Sequence, residues 1–305
     1  MNRVKVIIDT DPGQDIDDLL AIHFALLRPE LDVMAITTST WPTHKRGRLA
    51  RRLCRQLGRA DIPVAPGADY PLSDLSEREL DLLHDLRVSM NHLSFAEPED
   101  HLDDPDGIDA ASLIVRVVNE HPGEIVLACI APLTNVALAL RACPEIAGKI
   151  KSIVMMGGET KLNRREHNVA FDYVAADEVL RSGVPITMGT WDVTRRFVLS
   201  QEDCELFRSS SAPLCRSLSD AILRWHPVQS WKPGPVMYDI FPIVHAFDRS
   251  YYDTEPLGVA VETEGKHSTG MTIPCLESPN VEVTTKANVD ALRNLYFSTV
   301  FPTGA

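Results

Sequence analysis

Residues 4–8 are a short β-rich apolar run, and five aspartates crowd the ten residues after it: Asp9, Asp11, Asp15, Asp17 and Asp18. An apolar stretch, residues 19–27, comes next. A buried strand, an acidic turn and a helix in that order constrain the fold strongly. Like charges this close repel, and each raises the proton affinity of its neighbours. A bound cation is the simplest relief, and oxygen-only ligands select a hard one, Ca²⁺ or Mg²⁺. Asp17 or Asp18 is placed to cap the helix. The acids thus sit at the carboxyl end of a strand, where open α/β sheets place ligands.

The alternation continues along the chain. Strands are expected at 4–9, 32–38, 62–64, 124–130, 153–156 and 185–188, with helices at 17–27, 45–57, 110–119, 134–140 and 175–181. After Gln201 the pattern is helical, then a β excursion is expected at 255–273 and a closing helix at 288–297. This predicts a Rossmann-like α/β fold, a mostly parallel central sheet with helices on both faces. No repeat or linker interrupts it, so residues 1–305 are read as a single domain.

Charge and composition narrow the function. The hydrophobic fraction of 44% and charged fraction of 24% are those of a soluble globular protein. A net charge of −13 would repel phosphate backbones, so nucleic acid is not the expected partner. No pair of the six cysteines has CxxC spacing, which predicts reduced thiols. No signal peptide is visible and the apolar runs are shorter than a membrane span, so a cytoplasmic location without membrane contact is expected. The basic helix with Lys45, Arg46, Arg48, Arg51, Arg52, Arg55 and Arg59 reads as a solvated face. The acidic stretch with Glu97, Glu99, Asp100, Asp103, Asp104 and Asp106 reads as a surface loop or a lid. His23 is expected in the core, and His245 in packing or at the surface.

Several chemistries could use the aspartate cluster. A calcium loop of the EF-hand type needs a glutamate at its twelfth position, where this chain has Leu20. Asp9-Thr10-Asp11 also fits the Asp-x-Asp of a haloacid-dehalogenase-type phosphotransferase, but Gly13 stands where that pattern has threonine, and Asp15, Asp17 and Asp18 are unused. Helix capping with surface carboxylates leaves five acids at one strand end unexplained.

Further motifs follow in order: Ala131-Pro132-Leu133-Thr134-Asn135, Met155-Met156-Gly157-Gly158, Glu166-His167-Asn168, Asp192-Val193-Thr194 and Tyr238-Asp239. With Asp9-Thr10-Asp11-Pro12-Gly13 and Asp17-Asp18, this series resembles the inosine-uridine preferring nucleoside hydrolase family over residues 4–245. The resemblance implies Ca²⁺-dependent hydrolysis of the N-glycosidic bond of a nucleoside, or of another small N-ribosyl substrate. It implies Asp11 as general base, and Asp11, Asp18, Asp239 and the Ile130 carbonyl as metal ligands. Asp17, Glu166 and Asn168 would hold ribose hydroxyls, and Tyr238 would face the leaving base. A homodimer or homotetramer is expected. A same-fold protein that binds nucleosides or sugars without turnover is the alternative.

The chain also departs from the family pattern. The segment Pro12-Gly13-Gln14-Asp15-Ile16-Asp17-Asp18 is two residues longer than the usual Asp-Pro-Gly-x-Asp-Asp, so Asp15 could take a metal or ribose role. Thr37-Thr38-Ser39-Thr40-Trp41-Pro42 lacks the family's Gly-Asn. The base-gripping His-Gly loop is not visible between Asn91 and Asp109. Tyr238 stands where the family has histidine. Weak or unusual base preference is therefore expected, with ribosides preferred over 2′-deoxyribosides.

Overall fold

The computed structural model describes residues 3–102, 107–230, 233–275 and 277–302. Its centre is β1 (Val4–Thr10), buried from Val6 onward. A strand covered on both faces needs helices above and below. Its alternating side chains meet both layers: Val6 and Ile8 join one apolar cluster with Leu19, Leu53 and Ile243, and Ile7 joins another with Leu113, Val136 and Val179. The first layer holds the helices Asp17–Leu27, Thr43–Gln56, Pro213–Val228, Ile240–Phe247 and Val289–Val300; the second holds Ala110–Glu120, Thr134–Ala142 and Tyr173–Leu180.

The other strands are β2 (Leu31–Thr38), β3 (Val64–Pro66), β4 (Val126–Cys129), β5 (Ser152–Met156), β6 (Ile186–Gly189), β7 (Tyr252–Leu257), β8 (Val259–Val261), β9 (Thr272–Pro274) and β10 (Val281–Ala287). Eight form one sheet in the order β3-β2-β1-β4-β5-β6-β10-β7. All neighbours are parallel except β7, which runs antiparallel to β10. The chain winds outward from β1 to β3, then returns to β4 on the other side of β1. That reversal is a topological switch point, where the strand ends splay into a crevice. The expected Rossmann-like layering is present.

The differences have physical causes. The β excursion resolves into the end of β7 and the separate antiparallel pair β8–β9. Strand β10 was not expected, because Glu282, Thr285 and Lys286 dilute its apolar signal. The third strand starts at Val64, not Ile62. Pro63 has no N–H for the ladder and serves only as acceptor for Ile36 N, at 3.0 Å. The helix Glu77–His84 was missed, although Ser76 and Glu79 form a capping box.

The two charged segments are corrected most. Arg46 is fully buried and Arg52 is 7% exposed, so the basic helix is no uniform solvated face. Arg55 pairs with the fully buried Asp100 at 2.5 Å, and Arg52 reaches Glu97 at 2.6 Å. The acidic segment is therefore pinned to that helix at Glu97 and Asp100, while Asp103, Asp104 and Asp106 lie outside the described residues. Periodicity assigns a helix face, but not what packs against it. All six cysteines are free; Cys54, Cys129 and Cys215 are buried and Cys275 is exposed. Among the described residues no helix is long and apolar enough to cross a membrane.

Candidate active site

The end of β1 is held by side chains from its neighbours. Asp9 Oδ1 accepts from Thr37 Oγ1 on β2 at 2.6 Å and from Asn135 Nδ2 at 2.8 Å. Asn135, just past β4, also donates to the Thr38 carbonyl at 3.1 Å and accepts from Ala68 N at 3.0 Å. One buried amide thus ties the ends of β1 and β2 to the exit of β3. A Cβ on Gly67 would lie 2.1 Å from that amide oxygen, so the close approach needs glycine.

Asp18 does not cap its helix, contrary to expectation. The cap position is Ile16, and Asp17 and Asp18 fill the first turn, where negative charge suits the helix dipole. Asp18 Oδ1 reaches back to accept from Thr10 Oγ1 at 2.6 Å and Asp11 N at 3.0 Å. Asp239 opens the helix Ile240–Phe247 and likewise makes no side-chain cap.

These carboxylates converge. Oxygens of Asp17, Asp18 and Asp239 lie within 4.8 Å of one another, and all three residues are buried. Burial pushes the Asp239 carboxyl well above its ordinary range, and the charges of Asp17, Asp18, Asp11 and Asp15 add to it. Burial lifts Asp18 to about 6. Asp11 is raised well above the usual value by burial, then by Asp18. Such a set resists ionising together. Its all-oxygen donors fit a hard divalent cation. The tightest triplet includes Asp17, which the resemblance gave to ribose; Asp11 adjoins it through Asp18.

A cavity of about 480 Å³ opens at this point. Its lining includes every residue expected to have a catalytic, metal or substrate role: Asp11, Asp15, Asp17, Asp18, Ile130, Glu166, Asn168, Tyr238 and Asp239. It also includes Gln14, Val88, Met156, Arg164, His167, Trp191, Val228 and Gln229, which were not singled out. Some of these were signalled. His167, Met156 and Trp191 belong to or adjoin noted motifs. Val88, Val228 and Gln229 carried no signal. The Arg164 and Arg195 guanidiniums lie 3.8 and 4.3 Å from the Trp191 ring centre. Asp192 supports that turn, accepting from Thr190 Oγ1 at 2.6 Å.

Glu166 and Asn168 are preorganised. Glu166 caps the helix His167–Phe171, accepting from Asn168 N and Val169 N, and also takes Gly158 N at 2.9 Å. Gly158 sits at φ 75°, a backbone position that favours glycine. Asn168 Nδ2 donates to the Met156 carbonyl at 3.0 Å, fixing the amide at the end of β5.

Arg46 holds the loop from behind. Its Nε donates to the Thr40 carbonyl at 2.7 Å and Nη2 to the Trp41 carbonyl at 3.2 Å. Nη1 donates to the Pro12 carbonyl at 3.0 Å and to the Asp11 carbonyl. Thr40 lies at φ 68°, unusual for a β-branched residue. Thus the segment lacking the family's Gly-Asn leaves β2 through a strained residue that a buried guanidinium restrains. Burial opposes the Arg46 charge, and Asp11, Asp18 and Asp69 support it.

Comparison with known proteins agrees with this geometry. The model of the family described as inosine-uridine preferring nucleoside hydrolase matches residues 6–294. The chain is 36% identical over 280 residues to the pyrimidine-specific ribonucleoside hydrolase RihA of Citrobacter koseri, covering 88% of each. The RihA of Escherichia coli O9:H4 gives the same figures. Among solved structures, the plant nucleoside hydrolase PpNRh1 superposes with a TM-score of 0.83 at 29% identity, covering 98% of this chain and 99% of that one. A purine-preferring ribonucleoside hydrolase from Gardnerella vaginalis gives 0.85 at 25% identity, covering 97% and 98%.

Proposed function

The chain belongs to the inosine-uridine preferring nucleoside hydrolase family, and on that premise we propose a calcium-dependent enzyme that prefers pyrimidine ribonucleosides. Hydrolysis of a ribonucleoside N-glycosidic bond is the reaction of its relatives. The observation that carries the finer reading is the convergence in one cavity of the Asp17–Asp18–Asp239 triplet, Asp11, Glu166 and Asn168. One sheet with strands from Val4 to Ala287 supports reading the chain as one domain.

Asp11, Asp17, Asp18, Asp239 and the Ile130 carbonyl would hold the ion. When bound, it supplies acidification of a water and orientation of vicinal hydroxyls. Asp11 takes the proton of the attacking water, a role its carboxylate can fill from the end of β1 beside Asp18. Asp17, Glu166 and Asn168 hold the ribose hydroxyls. The fixed negative field of the carboxylates suits the positive charge that develops on the ribose as the C–N bond breaks. Tyr238 faces the departing base. Gln229 offers an amide donor and acceptor side by side, complementary to the imide or amidine edge of a pyrimidine. The pyrimidine-specific relatives support that preference.

Steady-state release of ribose from uridine, cytidine, inosine, adenosine and their 2′-deoxy forms tests this. A site built to bond hydroxyls leaves buried polar groups unpaired when they are missing, so kcat/KM for deoxyuridine should fall on the order of 10²-fold or more below uridine. Equal values for ribo and deoxy substrates would refute the ribose contacts. Inosine turned over as well as uridine would refute the pyrimidine preference.

A further inference from the structure

Residues 14–16 carry the two-residue excess of the acidic turn, and the chemistry above does not use them. Each is tied to a segment next to Val88 or Val228–Gln229 of the cavity wall. The Gln14 carbonyl accepts from Asn91 Nδ2 at 2.7 Å. The Asp15 carbonyl accepts from His92 Nε2 at 2.8 Å, and since a carbonyl only accepts, Nε2 carries the proton. Asp15 Oδ1 accepts from Trp225 Nε1 at 2.8 Å and from Ile16 N at 2.9 Å. Ile16, His92 and Trp225 have no exposed surface. Ile16 and Trp225 share an apolar cluster with Met90 and Phe95.

Trp225 lies in the helix Pro213–Val228, and Gln229 N donates to the Trp225 carbonyl at 3.0 Å. The position of Trp225 therefore sets that of Gln229, one turn on and in the cavity wall. We propose that Asp15 is no metal ligand but a positioning residue, a tether that fixes Val228 and Gln229, through Trp225, against the carboxylate loop. The placement favours this over ligation: the tight carboxylate triplet forms without Asp15, while Asp15 Oδ1 is turned to the Trp225 indole. A carboxylate receiving a buried indole N–H makes a charge-assisted bond, stronger than a neutral one. The proposal rests on reading the cavity as a ribonucleoside site, since it assigns Gln229 to the base.

The calcium-loaded enzyme decides it through three variants. Trp225→Phe keeps the ring and loses the N–H, Asp15→Ala loses the acceptor, and Asp15→Asn keeps an acceptor oxygen. Trp225→Phe and Asp15→Ala should each change the uridine-to-inosine ratio of kcat/KM on the order of tenfold, mainly through KM. Asp15→Asn should restore much of it, and the double variant should change the ratio no more than either single one. Calcium affinity by titration calorimetry should stay as in the wild type. Hydrogen exchange should quicken in peptides covering 86–95 and 213–229, a readout that needs no turnover. Loss of calcium binding in Asp15→Ala would make Asp15 a ligand and overturn the proposal. So would unchanged exchange, or an equal loss on every base. If the wild type cleaves no nucleoside, the ribonucleoside reading fails, while calorimetry and exchange still decide the tether.

Discussion

At the carboxylate end of the cavity, the functional groups leave strand ends or helix starts. Asp11 follows β1, Ile130 follows β4, and Asp17, Asp18 and Asp239 stand at or within the first turns of two helices. These three are at most 4% exposed. At the other end the lining comes from Val88 in a four-residue helix, exposed Arg164 and His167, Trp191, and Val228–Gln229 at the end of a long helix. The sheet fixes the first end: Asp18 is bonded to Thr10 and Asp11 at the end of β1, and Asp9 ties that strand to Thr37 on β2 and to Asn135. Peripheral segments carry the second and can be rebuilt without disturbing the sheet. That difference explains how one fold serves relatives described as pyrimidine-specific and as purine-preferring.

The largest effect should come from the fixed end. Asp11→Asn keeps size and a ligand oxygen but cannot accept a proton. Turnover should fall by about 10²–10⁴-fold, the usual contribution of a general base. Near-normal kcat in that variant would remove Asp11 from the base role and leave the carboxylate end without its defining group.

Next in size is a test of rigidity. Arg46→Met leaves four backbone carbonyls without their donor and buried carboxylates without a cation. Breaking a buried charged network of this kind costs about 3–5 kcal/mol, read by urea denaturation. Arg164→Met, at the exposed end, should stay within about 0.5 kcal/mol of wild type. Similar losses in both variants would erase the contrast between the two ends.

The same contrast governed what the sequence disclosed. The residues proposed for metal and sugar chemistry, Asp11, Asp17, Asp18, Glu166, Asn168 and Asp239, were legible through the resemblance of an ordered series of motifs to a family. The parallel sheet was legible because buried strands such as β4 and β5 are continuous apolar runs. Arg46 was not legible, since a buried arginine and a solvated one look alike on a basic helix. Asp15 was ambiguous, because its indole partner lies 210 residues away. Gln229 and Val88 were silent: a base can be gripped by many side chains, and none has required spacing.

A smaller effect links charge to stability. Asp9 and Asp18 have folded pKa values of about 6 against an ordinary 3.8. Raised carboxyls contribute stability that is complete below the unfolded value and is lost as pH rises through the folded one. The metal-free protein should therefore lose stability through these groups as pH rises from about 4 to 6 and carry the full penalty above that. His23, His92 and His245 are lowered to about 4 by burial, so their contribution is full above 6.5 and lost as pH falls through 4. Calcium would relieve Asp18, the one of these groups in the proposed ion set, and not the histidines. Its stabilisation, about 2.7 kcal/mol at a free concentration 100 times Kd, should grow as pH rises from 5 to 7. Differential scanning fluorimetry with calcium or chelator measures it, and a calcium increment in Tm independent of pH would contradict the linkage.

The smallest effect should be at the rebuilt end. Gln229→Ala removes the amide of a residue that is 9% exposed and lines the cavity. Losing one neutral hydrogen bond to a base is worth about 0.5–1.5 kcal/mol, so KM for uridine should rise by up to about tenfold. The ion and the ribose stay in place, so kcat and the ribo-to-deoxy ratio should hold. An equal fall in kcat would mean that the base end is coupled to the chemical step as well as to binding. An unchanged KM would move base recognition from Gln229 to other polar and aromatic groups of the cavity, Tyr238, His167, Trp191 or Arg164.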